Sequence, residues 1–115
     1  MWFWLSAAAM AATAAIHSWA GERKIVRPVL DAPNSPLTDP QSRKVMRSAW
    51  HLTSGFMILC AVVVVWPDTP SGAVLSVGGF WLVLGLFSLT ASRGRHVGWP
   101  TLCASGILAI LGVYA

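Results

Sequence analysis

The stretch Ser48–Trp66, SAWHLTSGFMILCAVVVVW, contains no Asp, Glu, Lys or Arg. It has close to the length of about 20 apolar residues that a helix needs to cross a bilayer. Three further uncharged stretches have a similar length, and they are Trp2–Ala20, Gly72–Ala91 and Gly98–Tyr114. The prolines fall between these stretches or, at Pro100, in a first helical turn, where proline is tolerated. The sequence therefore predicts an all-α protein, a single domain over residues 1–115 built as a four-helix transmembrane bundle.

The composition favours lipid as the surrounding medium. Charged residues make up 10% of the 115 residues, hydrophobic residues make up 56%, and the mean hydropathy is +0.64. Soluble domains typically carry about 25% charged residues. No Lys or Arg precedes Arg23, whereas a secretory signal has a basic segment before its apolar run. We therefore expect residues 2–20 to be a retained helix and not a cleaved leader.

The basic residues indicate how the helices are oriented. All eight Lys and Arg residues lie after the first stretch, at the start of the second, or between the third and fourth, and they are Arg23, Lys24, Arg27, Arg43, Lys44, Arg47, Arg93 and Arg95. The opposite face of such a bundle carries only Asp68. The positive-inside rule predicts cytoplasmic first and third loops, with both termini extracytoplasmic. Because the basic residues gather at one membrane face, the net charge of +4 does not indicate a nucleic-acid partner.

The first loop, residues 21–47, is the long connection. Ile25, Val26, Val29 and Leu30 alternate with basic residues, which predicts a short interfacial helix lying on anionic lipid headgroups. The sequence PNSPLTDP at 33–40 is typical of a turn-rich linker. Membrane lipids are therefore the first expected partner.

Small residues at regular spacing predict how the helices pack. Ser71, Gly78, Gly85 and Ser92 follow one another at seven-residue intervals. Such a repeat is typical of a seam along which two helices approach closely. The seam fits packing inside one chain, and it also fits a homo-oligomer.

Polar residues at the cytoplasmic end form the candidate site. His17 lies about one turn inside the end of the first stretch, and His51 lies about one turn inside the start of the second. The two stretches run antiparallel, so these histidines have similar depth. Polar groups in a membrane normally face the bundle interior or a water-filled cavity. We therefore expect a polar vestibule formed by five residues, namely His17, Glu22, Arg47, Trp50 and His51.

Three hypotheses for the vestibule remain open. The polar side chains could simply hydrogen-bond across the helices, with no cofactor bound. They could also line a small-ligand or quinone pocket with Trp19, Trp50 and Trp99 as walls. Alternatively, His17 and His51, with His96 from the third loop, could bind a metal ion or haem. The sequence has no paired histidine spacing typical of metal sites, no nucleophile elbow and no phosphate-binding loop, so it does not indicate an enzyme.

Two resemblances bear on the function. In length and helix count the chain is similar to small multidrug-resistance transporters, but these carry a glutamate within the first helix, whereas Glu22 lies beyond it. A second pattern covers residues 16–54 and comprises Ile16-His17-Ser18, Gly21-Glu22-Arg23, Pro28 followed by Val29-Leu30, and Arg47-Ser48-Ala49-Trp50-His51. It resembles a group of small bacterial inner-membrane proteins of unassigned activity. That resemblance implies a location in the bacterial inner membrane and groups His17, Gly21, Glu22, Arg47, Trp50 and His51 as one unit.

Within this unit, two contacts are expected. Arg47 can pair with Glu22 at the membrane boundary. Gly21 can let the chain leave the helix and carry Glu22 over the vestibule, or it can be an ordinary helix C-cap. The leading functional expectation is a non-enzymatic accessory or ligand-binding membrane protein, with a homo-oligomer or a larger membrane complex as its setting. The alternatives are a small oligomeric transporter, and a redox protein that binds haem or a metal through His17 and His51.

Overall fold

The computed structural model describes residues 1–115, and the chain is all-α with no strand. Its helices are α1 (Trp2–Gly21), α2 (Arg27–Asp31), α3 (Pro40–Val65), α4 (Ser71–Ser92) and α5 (Trp99–Tyr114). A π-helical turn at Glu22–Val26 connects α1 directly to the short α2. The prediction of an all-α chain with four main helices is confirmed.

Helices α3 and α4 are long and apolar enough to cross a membrane. Their most apolar segments are only 17% and 22% buried inside the protein, respectively. Large apolar side chains therefore point outward, among them Leu52, Phe56 and Leu59 on α3 and Phe80, Val83 and Phe87 on α4. Helix α5 is apolar but has 16 residues. Helix α1 has 20 residues, eight of which are alanine, and it is not among the helices that are long and apolar enough to cross a membrane.

Helix α3 begins at Pro40, eight residues before the predicted apolar stretch. Asp39 is its N-cap, and the Asp39 carboxylate accepts hydrogen bonds from the Ser42 backbone N–H and the Ser42 hydroxyl, each at 2.9 Å. These bonds favour the ionised carboxylate and lower the pKa of Asp39 below its ordinary value. The predicted first loop, residues 21–47, therefore ends earlier than expected, at Asp39, because an Asp-Pro pair at the N-cap and first turn starts the helix at Pro40.

The chain does not leave the helix at Gly21. Its backbone angles are φ −64° and ψ −43°, which are helical, and the helix continues through the π turn. Both expectations for Gly21, a helix exit and a C-cap, are wrong. The expected short interfacial helix is therefore an extension of α1, in which Val26 and Leu30 are buried while Ile25 and Val29 are exposed.

The helices pack in the order α3, α1, α5, α4, and α3 and α4 touch only marginally. A core of seven residues draws on all four long helices, and its members are Met10, Ala61, Val64, Val74, Trp81, Leu102 and Ala109. Helix α1 is also tied to α5 by a buried hydrogen bond, in which the Ser6 hydroxyl donates to the Ser105 carbonyl at 2.7 Å. Helix α1 thus occupies a central position between α3 and α5.

Glycines allow α4 and α5 to approach closely. Gly78 faces Ala109 and Gly106, and Gly85 faces Cys103, so the middle of the seven-residue repeat packs against α5. At its ends, Ser71 is exposed, and the Ser92 hydroxyl donates to the Ser88 carbonyl of its own helix. Since α5 covers the two glycines, this part of the repeat offers no free surface for a second copy.

Replacing Gly106 by alanine should destabilise this packing. The added methyl group would lie 2.5 Å from the Gly78 carbonyl oxygen and 2.6 Å from the Leu82 nitrogen, so the two backbones must move apart. We expect the free energy of unfolding in detergent to fall by about 1–3 kcal/mol, measured by thermal or denaturant unfolding. Gly79→Ala is the matched control, because nothing lies within 4 Å of its added methyl group. Equal stability of the two variants would contradict the close approach of α4 and α5.

Candidate functional site

A chain of polar side chains links α1 and α3 near the end of α1. The Ser54 hydroxyl on α3 lies 2.9 Å from His17 Nδ1 and 2.6 Å from the Ser18 hydroxyl on α1. The Ser18 hydroxyl lies 2.9 Å from His51 Nδ1. Since Ser54 and His51 are three residues apart, they share one face of α3 and meet the adjacent His17–Ser18 pair together. The contact between the helices is therefore polar at this level.

The polar chain continues to charged residues. His51 Nε2 lies 3.1 Å from Glu22 Oε2, and Arg47 Nε forms an ion pair with Glu22 Oε1 at 2.9 Å. Glu22 is four residues after Ser18, so the continuous helix through Gly21 places its carboxylate beside His51. The Glu22 side chain is 19% exposed and that of Arg47 is 48% exposed, so the ion pair lies at the edge of the protein. The expected contact between Arg47 and Glu22 is present.

Trp50 packs against the imidazole ring of His17. The two rings stack with centroids 4.5 Å apart and planes 7° from parallel. The Trp50 indole N–H donates to the His17 carbonyl at 2.8 Å. This position requires a glycine at 21, because a Cβ there would overlap the indole ring of Trp50. Gly21 is thus needed for space and not for backbone freedom.

A cavity of about 440 Å³ lies beside this stack, between α1, α3, α5 and the loop that precedes α5. His17 and Trp50 line it together with apolar side chains, mainly Ile16, Ile25, Met57, Val97 and Leu102. Lys24, Arg95 and His96 also line the cavity. Ligand-binding cavities commonly have volumes of about 300–1,000 Å³ and mostly apolar walls with a few polar groups. This cavity has the size and the lining of a small-molecule site.

A second opening lies at the contact between α1 and α3, where Ser18, Glu22 and His51 line it. It has a volume of about 370 Å³, and Ser18, Trp19, Glu22, Arg23, Arg27 and His51 are among its lining residues. The Arg23 guanidinium lies over the Trp19 ring, 5.1 Å from its centroid. The polar chain therefore runs between two openings, with His17 at the first and His51 at the second.

The ring nitrogens of the three histidines have different environments. Both nitrogens of His51 and the Nδ1 atom of His17 are engaged in the polar chain, whereas His17 Nε2 has no hydrogen-bond partner in the protein. His96 is exposed, and its Nδ1 accepts from the Gly98 backbone N–H at 3.0 Å. No group of three or more His, Cys, Asp or Glu side chains is arranged to hold a metal ion. The structure thus does not bring His17, His51 and His96 together as a ligand set.

The structure brings together all five residues of the expected vestibule, His17, Glu22, Arg47, Trp50 and His51. Of the expected aromatic walls, Trp50 lines the first cavity and Trp19 the second opening. Trp99 lines neither, and its indole N–H donates to the Gly94 carbonyl at 3.2 Å. Two residues of the polar chain, Ser18 and Ser54, were not predicted as site residues. The signal was present, because Ser18 follows His17 directly and Ser54 lies one turn from His51.

No family model, curated protein or solved structure matches this chain. The resemblance over residues 16–54 remains an expectation from the sequence.

Replacing Gly21 by alanine should displace the Trp50 ring. The added methyl group occupies the position of the indole, so Trp50 must move away from His17 and lose its hydrogen bond to the His17 carbonyl. We expect a changed indole N–H resonance of Trp50 in ¹H–¹⁵N NMR spectra and a loss of about 1–3 kcal/mol in unfolding free energy. Gly55→Ala, with nothing within 4 Å of the new methyl group, should leave both unchanged. An unaltered Trp50 resonance in Gly21→Ala would refute the close packing at this point.

Proposed function

We propose that this chain is an integral membrane protein of the bacterial inner membrane and that its four long helices all cross the bilayer. The outward-facing apolar surface of α3 and α4 supports this. An apolar helix of a soluble protein lies mostly in the core, whereas these two are largely exposed. Large exposed apolar surfaces are typical of contact with a membrane or a partner. Lipid on that surface avoids the cost of hydrating it.

The distribution of charge supports an orientation with both termini outside the cytoplasm. Lys24 and Arg95 line the same cavity, so the π-helical turn after α1 and the loop before α5 lie at one end of the protein. The other basic residues belong to the same two connections or to the start of α3, and Asp68 lies in the turn between α3 and α4. Under the positive-inside rule the basic end is cytoplasmic. The exposed rings of Trp4, Trp66 and Tyr114 then lie at the outer interface, where amphipathic aromatic side chains are favoured.

We infer that the protein binds a small ligand in the cavity beside His17 and Trp50. The observation that carries this proposal is the free Nε2 atom of His17, which belongs to a residue lining a 440 Å³ cavity with mainly apolar walls. Polar groups in an apolar cavity fix the orientation of a ligand. Lys24 and Arg95 add positive charge to the lining. The ligand is therefore a mostly apolar small molecule with one acidic or hydrogen-bonding group.

We place the chain among binding or accessory proteins and not among enzymes. The cavity lining contains two imidazoles, those of His17 and His96, with no hydrogen bond between them, and it contains no carboxylate, cysteine or serine. Covalent or acid–base catalysis usually needs at least two such groups within hydrogen-bond reach. We propose that the chain holds its ligand on the cytoplasmic side and serves a larger membrane complex.

The proposed orientation is tested with reporter fusions. A reporter that is active only outside the cytoplasm should be active when fused after Ala115 and inactive when inserted after Asn34, in the loop between α2 and α3. In the proposed orientation, Asn34 lies at the basic, cytoplasmic end of the protein, and Ala115 lies at the opposite end. A cytoplasmic reporter should give the reverse pattern. Activity on the same side at both positions, or an inverted pattern, would overturn the topology.

The proposed ligand site is tested by native mass spectrometry of the protein released from its membrane in mild detergent. We expect a one-to-one complex with a small molecule in the wild type. Ala20→Leu should abolish the complex, because Ala20 lines the cavity and the larger side chain fills it. Ala12→Leu is the control, since Ala12 is exposed on the same helix. A bare wild-type protein, or a ligand retained equally by Ala20→Leu, would refute this site.

A further inference from the structure

The polar chain contains three hydrogen bonds in series, and the positions of their protons depend on one another. Three contacts join His17 Nδ1, Ser54 Oγ, Ser18 Oγ and His51 Nδ1 in a row. Each contact needs one proton, and the two hydroxyl groups supply only two. The third must come from an imidazole at one end of the row. The three hydrogen bonds therefore have two consistent arrangements, and the donor and acceptor of every bond are exchanged between them.

The contact between His51 and Glu22 determines which arrangement occurs when His51 is neutral and which occurs when His51 is positively charged. An ionised carboxylate only accepts hydrogen bonds, so His51 Nε2 must carry a proton to contact Glu22. If His51 is neutral, its Nδ1 atom accepts, both serines donate toward His51, and His17 Nδ1 supplies the third proton. His17 Nε2 is then a bare acceptor at the cavity. If His51 is positively charged, every bond reverses, and His17 carries its proton on Nε2.

We propose that the polar chain is a proton relay between the cavity and the Glu22 edge of the protein. A weak acid in the cavity gives its proton to His17 Nε2. The Nδ1 proton of His17 passes to Ser54, the Ser54 hydroxyl proton to Ser18, and the Ser18 hydroxyl proton to His51 Nδ1. The result is an anionic ligand, a neutral His17 and a positively charged His51. No atom other than hydrogen moves between groups, and total charge is conserved.

The surrounding charges favour this direction. The groups that face His17 or its cavity are Lys24, Arg95, His96 and, along the chain, His51, none of which is acidic. His51 contacts Glu22 directly, with Arg47, Arg23 and Arg27 nearby, and its side chain is 39% exposed at the second opening. Glu22 compensates a positive charge at His51, whereas no acidic group faces His17. The anionic ligand left in the cavity lies among Lys24, Arg95 and the new N–H of His17.

The relay specifies the ligand class more closely than the cavity alone. In the neutral arrangement His17 Nε2 only accepts, so the fitting ligand carries a donor, such as a phenolic hydroxyl or a carboxylic acid. This part rests on the proposed ligand site. The relay itself rests only on the bonded chain from His17 to Glu22, and without a ligand it operates when a hydronium ion from the solvent gives its proton to His17 Nε2 and leaves neutral water.

The test is ¹⁵N NMR of histidine-labelled protein in lipid nanodiscs, without added ligand, as the pH is lowered. Ring nitrogen shifts distinguish protonated from unprotonated sites. We expect His51 to become doubly protonated while His17 keeps one proton, and that proton should change from Nδ1 to Nε2 over the same pH interval. A His17 tautomer that does not change as His51 protonates would overturn the relay, and so would double protonation of His17 in that interval.

Variants separate the relay from a structural role. Ser54→Ala breaks the row, so the His17 tautomer should no longer follow the protonation of His51. Thr53→Ala removes a neighbouring hydroxyl that bonds the Ala49 carbonyl of its own helix, and coupling should persist. Coupling that survives in Ser54→Ala would refute the relay. If the His17 tautomer follows the protonation of His51 but mass spectrometry finds no bound ligand, only the ligand site is refuted. If a ligand is bound but the His17 tautomer does not follow His51, only the relay is refuted.

Discussion

The hydrogen bond between the Ser18 and Ser54 hydroxyl groups is the contact around which the site is built. It joins α1 to α3 and lies at the centre of the row that runs from His17 to Glu22. In an apolar environment, leaving a polar group without a hydrogen-bond partner costs several kcal/mol. His17 Nδ1 and the Ser18 and Ser54 hydroxyls, which lie in the contact between α1 and α3, therefore need partners within the chain. The row meets this requirement for all of them at once.

Packing around the row explains the neighbouring residues. Trp50 stacks on His17 and bonds the backbone of α1, and Gly21 leaves room for its indole ring. The helix then continues through a π turn, which carries Glu22 to His51. On the other side, α5 packs against α1 and encloses the cavity together with the loop at residues 93–98. The site thus requires α1 at the centre of the fold, between α3 and α5.

Much of this arrangement was predictable from the sequence. Long uncharged stretches predict helices because backbone groups in lipid must bond within a segment, and four long helices are present. The depth and spacing of His17 and His51 predicted that the vestibule residues would meet. The continuation of the helix past Gly21 was not predictable, because only the bulk of Trp50 in the neighbouring helix explains a glycine there. The Asp39-Pro40 pair marks the early start of α3 in the sequence, although residues 33–40 have the composition of a turn-rich linker. The cavity also could not be predicted, since it depends on how α3 and α5 are rotated about α1.

The most direct measurement of the central contact is disulfide formation in Ser18→Cys/Ser54→Cys, with Cys60 and Cys103 replaced by alanine. The two hydroxyl oxygens lie 2.6 Å apart, so sulfur atoms at these positions are close enough for an S–S bond of about 2.05 Å. Mass spectrometry after mild oxidation and alkylation in the membrane reports the fraction bonded. We expect nearly complete disulfide formation for this pair and little for Ser18→Cys/Thr53→Cys, because Thr53 is exposed on another face of α3. Free thiols in the first pair, or equal yields in both, would contradict the packing of α1 on α3 through these serines.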